Sequence, residues 1–136
     1  MPKILFICLG NVARSQMAEA FYNHFTKTRD ATSAGILDFT PLKYPVLPDE
    51  VVTVMQEEGI DVSKGKVKTY TKEMIENAEN IYVLCRKDEC PAIIAESRKA
   101  TFWSIEDPYG MGMDDIRKIR DQIKQKILSL TWDRKG

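Results

Sequence analysis

The sequence predicts an α/β fold: a parallel sheet covered by helices on both faces. Three observations carry this. Short, unbroken apolar runs such as Lys3–Cys8 ("KILFIC") and Ile81–Cys85 ("IYVLC") have strand length and no polar face, as strands buried on both sides do. Helical spacing recurs between them, with Met17, Phe21 and Phe25 four residues apart and Ile116, Ile119, Ile123 and Ile127 stepping by three, four and four. The resulting order, β-α-β-α-α-β-(α)-β-α, calls for parallel strands joined by right-handed crossovers.

Each element has its own signal. After the first strand, Ser15–Phe25 forms an amphipathic helix, and Ala31–Ile36 ("ATSAGI") a short strand ending near a glycine. Leu37–Leu47 contains Pro41 and Pro45 and reads as a loop, with Phe39–Tyr44 bordering any pocket. Asp49–Glu58 is a helix stopped by Gly59. Ser63–Tyr70 is basic and irregular, and Thr71 caps a short helix through Asn77. Ile81–Cys85 and Ala100–Ile105 are the third and fourth strands, and Arg86–Ser97 between them is a loop or a helix that unwinds in use. A long helix runs from Asp114.

The chain has 136 residues, enough for one domain over 1–136 with one sizeable core. Lys plus Arg equals Asp plus Glu, so a nucleic-acid binder, which would show a basic excess, is not expected. No apolar run reaches bilayer length. The first residues have no small-residue cleavage site and read as a buried strand, so the expected location is the cytoplasm. Three cysteines, Cys8, Cys85 and Cys90, are too few and too odd for a secreted disulfide framework. In a reducing compartment they are core residues, metal ligands or redox catalysts. As zinc ligands they form a poor set, since one is distant and the single His24 reads as a packing or surface residue.

In parallel sheets, sites form beyond the carboxyl ends of the strands. Cys8 ends the first strand, Cys85 the third, and Asp107 follows the fourth, so all three fall on one edge. "CLGNVARS" (Cys8–Ser15) then joins a strand to a helix through a glycine-containing loop. Inward-turned amides and the helix N-terminus make such a loop an oxyanion cradle, here spanning Leu9, Gly10, Asn11, Val12, Ala13, Arg14 and Ser15. Gly10 eases the turn, Asn11 tolerates left-handed backbone and braces it, and Arg14 can grip two oxygens at once. The same positive field favours the Cys8 thiolate, and Ser15 can donate to it or cap the helix. Val12 and Ala13 carry no side-chain chemistry. Taken alone, a strand-end cysteine and an arginine six residues on are a buried thiol and a surface cation; the strand, glycine and helix around them favour the cradle.

"CLGNVARSQMAEA" closely resembles the active-site loop of the low-molecular-weight protein tyrosine phosphatases and of their relatives, the thioredoxin-coupled arsenate reductases. "SAG" (Ser33–Gly35), "EEGIDVS" (Glu57–Ser63) and "EDPYG" (Glu106–Gly110) extend the resemblance over nearly the whole chain. It implies a three-layer flavodoxin-like fold with four parallel strands in the order 2-1-3-4. It implies Cys8 as nucleophile, Arg14 as oxyanion ligand and Asp107, of the Asp-Pro pair, as general acid. The alternative for Asp107 is an ordinary Asp-Pro turn. Tyr109 would line the pocket mouth.

The other two cysteines point within that superfamily. In "NIYVLCRKDECPAI", Cys85 ends a strand and Cys90 precedes Pro91, as in the arsenate reductases, although four intervening residues are fewer than in well-known members. The resemblance implies arsenate reduction through Cys8, Cys85 and Cys90 in turn, with thioredoxin or another dithiol as reductant; no cofactor or metal is expected, and the expected state is a monomer. Cys85 also reads as a plain core residue. A phosphotyrosine phosphatase working through a phosphocysteine is the alternative function. A redox-regulated anion-binding module without catalysis is the second.

Overall fold

A computed structural model describes residues 3–37 and 47–135. Four strands, β1 (Ile4–Cys8), β2 (Ala31–Gly35), β3 (Asn80–Val83) and β4 (Ala100–Phe102), form one sheet in the order β2-β1-β3-β4. Every neighbouring pair is parallel, with Cys8 opposite Gly35, Ile7 opposite Val83, and Val83 opposite Phe102. The helices are α1 (Arg14–Thr26), α2 (Asp49–Gln56), α3 (Lys72–Asn77), α4 (Ala92–Ala95) and α5 (Met113–Lys135), and a 3₁₀ turn covers Lys87–Glu89. The predicted class, strand order and two-sided covering hold. Phe39–Tyr44 lies outside the described residues.

Alternation along β1 sorts the core into two. Ile4, Phe6 and Cys8 pack with Met17 and Phe21 of α1, Val54 and Met55 of α2, and Ile119, Ile123 and Ile127 of α5. Leu5 and Ile7 face the other way, toward Ile75 of α3, Ile94 of α4, Ile81, Val83 and Cys85. Each isoleucine fully removed from water contributes about 1.5–3 kcal/mol. Thr71 caps α3 as predicted, its hydroxyl accepting the Met74 N–H at 3.1 Å. Gly59, with φ at 76°, lies three residues past the end of α2, which stops at Gln56 instead of Glu58.

β3 and β4 end two and three residues short of the prediction. β4 ends at Phe102 instead of Ile105 because Ser104 adopts a left-handed φ of 50°. Contact resumes past that kink, the Ile105 N–H donating to the Leu84 carbonyl. β3 ends at Val83, so Cys85 lies two residues beyond the strand, where the chain turns toward the 3₁₀ segment. On the opposite flank, residues 68–70 pair with the end of β2 through an isolated bridge from Thr69 to Gly35. His24 is exposed on α1, against Phe25.

Candidate active site

The loop from Cys8 to Ser15 sits between the end of β1 and the start of α1, at the carboxyl edge of the sheet. Its left-handed residue is Asn11, at φ 59°, and not Gly10. Asn11 is fully buried, and its carboxamide is the hub of the loop. The Lys68 backbone N–H, which can only donate, reaches Asn11 Oδ1 at 2.9 Å, and Gln16 Nε2 donates to the same oxygen at 2.9 Å. That orientation commits Nδ2 to donating, to Ser15 Oγ at 2.7 Å and to Ser33 Oγ at 2.9 Å. Ser15 Oγ lies 3.0 Å from Cys8 Sγ, and its proton, not used toward Asn11, is free to point at a thiolate there. The Asn11 N–H also donates to Cys8 Sγ, at 3.2 Å. Two donors thus converge on the sulfur, an arrangement that suits an anionic acceptor. α1 itself has no side-chain N-cap, so Ser15 serves the thiol and not the helix end.

Sequence reasoning missed the outer half of this network. Ser33 passes its hydrogen bond on to Glu19 Oε1 at 2.9 Å, and Gln16 also donates to the Lys66 carbonyl at 2.8 Å. Gly35 packs so tightly on the loop that a Cβ there would lie 2.7 Å from the Gly10 carbonyl carbon. "SAG" held the signal for Ser33 and Gly35; nothing in "RSQ" marked Gln16.

Arg14 is buried at the first position of α1. Its Nη1 donates to the Leu84 carbonyl at 3.1 Å and the Ile105 carbonyl at 2.8 Å, which lie just past the ends of β3 and β4. Nη2 stands 3.8 Å from Asp107 Oδ2. Asp107 is half-exposed, and its Oδ1 accepts the Tyr109 N–H at 3.0 Å, so it forms the Asp-Pro turn while its other oxygen faces Arg14. Val12 and Ala13 help wall a cleft of about 370 Å³ together with Val51, Asp107, Tyr109 and Met111. The two loop residues that carry no reactive group therefore shape the entrance, and the exposed Tyr109 ring stands at its mouth.

Cys85 is buried and Cys90 partly exposed, with their sulfurs 4.0 Å apart. The five-residue step brings them together because the 3₁₀ turn intervenes: the Cys90 N–H bonds the Lys87 carbonyl at 3.0 Å, and Glu89 Oε1 accepts the Arg86 N–H at 2.9 Å. Burial, reinforced by charge at Cys90 and Cys8, pushes the Cys85 thiol well up. Burial also raises Cys90, opposed by its hydrogen bond with Cys85 and assisted by Glu89 and Asp88. Cys8 and Cys85 pack into different cores, on opposite faces of the sheet. Among the described residues, no group of three or more metal-ligating side chains comes together.

The sequence model of the low molecular weight phosphotyrosine protein phosphatases matches residues 3–134. The chain belongs to that family. It is also 33% identical, over 133 residues covering 91% of each sequence, to an arsenate reductase of Halalkalibacterium halodurans. The fold superposes on a low molecular weight protein tyrosine phosphatase from T. tengcongensis with a TM-score of 0.83, at 26% identity over 98% of this chain and 99% of that one. The arginine phosphatase YwlE from Geobacillus stearothermophilus superposes at 0.82, with 25% identity over 97% and 92% of the two chains. Family members thus include enzymes of both reductive and hydrolytic types. No helix among the described residues is long and apolar enough to cross a membrane.

Proposed function

We propose that this family member is a cytoplasmic, monomeric arsenate reductase that draws electrons from thioredoxin or another dithiol. The observation that carries the reading is the pair of sulfurs, Cys85 and Cys90, 4.0 Å apart on the sheet edge that holds the anion loop. A hydrolase needs the Cys8 sulfur alone; a two-electron reduction needs a source for the electrons.

Arsenate enters the cradle of residues 9–15 and is held by loop amides and Arg14. The Cys8 thiolate attacks arsenic. Asp107 protonates a departing oxygen, water leaves, and arsenic remains pentavalent in a sulfur–arsenic ester. Cys85, a thiol at rest, passes its proton to the departing arsenic oxygens as its sulfur attacks Cys8 Sγ. A sulfur–sulfur bond forms, the sulfur–arsenic electron pair stays on arsenic, and trivalent arsenite departs. Because the two sulfurs lie on opposite faces, this step swings the segment after Val83 round the sheet edge. Cys90 then loses its proton to solvent and attacks Cys85, Cys8 leaves as thiolate, and the Cys85–Cys90 disulfide sits where a reductant can reach Cys90.

The deciding assay supplies arsenate, thioredoxin, thioredoxin reductase and NADPH, and follows NADPH consumption. Wild type consumes NADPH; Cys85→Ser and Cys90→Ser do not turn over. A silent wild type that hydrolyses an aryl phosphate would make the chain a phosphatase. That second reading is favoured by the placement of Asp107 beside Arg14 and by the cleft next to the loop. Full biological function in a Cys8→Ser variant would leave only the binding-module reading.

A further inference from the structure

We infer that the reduced Cys85–Cys90 pair is a binding site for trivalent arsenic, at which a neutral arsenic hydroxide is chelated through two sulfurs. The site is separate from the anion cradle, and only its natural ligand rests on the reductase reading.

The geometry suits one bridging atom. Two bonds of about 2.3 Å, the length of a thiolate–zinc bond, span about 3.4 Å at the near-95° angle of a pyramidal arsenic, so sulfurs 4.0 Å apart close by only about 0.6 Å to share one atom. The 3₁₀ turn holds the pair at that separation before any ligand arrives, through the Glu89 cap on the Arg86 N–H and the Cys90 N–H bond to Lys87. A preorganised pair spends little further ordering entropy on binding. Cys90 is partly exposed and offers the entry; Cys85 lies behind it among Leu5, Ile7, Val83 and Ile94.

The protonation state selects the ligand. Burial keeps both sulfurs as thiols. A divalent metal ion would have to expel both protons into solvent before it gained two thiolates. An arsenic hydroxide carries its own acceptor. Each S–H condenses with one As–OH, an arsenic–sulfur bond forms, and one water leaves per bond. Arsenic stays trivalent, no electrons move, and no charge is buried.

Arsenite released by the enzyme is itself such a ligand. Capture removes Cys85 and Cys90 from the relay and leaves Cys8 and its cradle free, so product inhibition is noncompetitive with arsenate.

The test needs no arsenate. A Cys8→Ser protein is incubated with phenylarsine oxide, desalted, and assayed for free thiols and mass. One equivalent remains bound, both thiols disappear from titration, and 2,3-dimercaptopropanol restores them. Cys8→Ser/Cys90→Ser and Cys8→Ser/Cys90→Ala each bind about 10²-fold more weakly or worse, because two-point attachment has become single-point. Zinc(II) at the same concentration leaves both thiols titratable. The inference is overturned if the thiols of Cys8→Ser stay free, if the variants lacking Cys90 retain the reagent equally, or if zinc protects the pair as well. Phosphatase activity alone in the NADPH assay would sink the reductase reading and leave this binding result standing.

Discussion

Gly35 and Gly10 touch backbone to backbone: a methyl group built on Gly35 would lie 2.7 Å from the Gly10 carbonyl carbon and 2.9 Å from the Asn11 nitrogen. The end of β2 therefore sets the position of the anion loop without sharing a reactive group with it. Gly35→Ala is expected to destabilise the fold by about 1–3 kcal/mol, the cost of overpacking a closed site. Its effect on turnover is larger, about 10²-fold, because the cradle moves relative to Cys8. Thermal denaturation and kcat/KM on one preparation separate the two effects.

Asn11→Asp tests the directional chain that ends on the sulfur. The oxygen facing Gln16 and Lys68 survives, but the amide donor toward Ser15 and Ser33 is lost. Ser15 then donates to the new carboxylate, and the Cys8 thiolate loses a partner. Alkylation of Cys8 by iodoacetamide at pH 7 should slow by about tenfold or more, the equivalent of one hydrogen bond to a charged group. An unchanged rate in a folded variant would mean that Ser15 does not control the sulfur.

Asp107→Asn removes the proton donor and keeps the turn, since the amide oxygen can still accept the Tyr109 N–H. Arg14 stays tethered to Leu84 and Ile105. Single-turnover release of product should fall by about 10²–10⁴-fold, the usual contribution of a general acid, while affinity for a tetrahedral oxyanion changes little. A parallel loss of oxyanion affinity would assign Asp107 to positioning Arg14 instead.

Acid should loosen the junction between α2 and α5. Glu57 accepts from Arg117 at 2.9 Å and from Arg120 at 2.6 Å, and these hydrogen bonds, Arg117 first, hold its carboxyl below the usual value of 4.5. A depressed carboxylate stabilises the fold above its unfolded-state value, and that contribution drains as pH falls through the lowered one. The melting temperature of Glu57→Gln should therefore lie below wild type near neutrality and converge with it as pH drops under 4.5. Curves that stay parallel down to acid would rule out this pair as a source of pH dependence.

The sheet was legible because its signals are local. "KILFIC" and "IYVLC" are apolar on both faces, and the isoleucines of α5 repeat at helical spacing. Strand ends were less legible, since they depend on a single dihedral: Ser104 turns left-handed with no glycine to announce it. In the site, residue type and the edge rule pointed to Cys8, Arg14 and Asp107, and the structure sets Arg14 Nη2 3.8 Å from Asp107 Oδ2. The turn fell on Asn11 and not Gly10 because a buried carboxamide with four partners offsets the cost of left-handed backbone. The Lys68 amide lies fifty-seven residues from Asn11 in sequence, beyond the reach of the loop motif, and Gln16 lies inside that motif but carries no residue-type signal for its role. The closeness of Cys85 and Cys90 was hidden for another reason: helical spacing sets residues five apart on different faces, whereas the observed turn is 3₁₀.

Cys8 belongs to one core and Cys85, past the end of β3, to the other. A covalent link between those sulfurs would act as a rivet at the rim of the sheet, joining its two cores and closing more than half of the polypeptide into a single ring. An enzyme arrested with that link in place would resist heat better than its fully reduced form, and the last exchange, which moves the bond to Cys90, would return the two halves to their ordinary freedom.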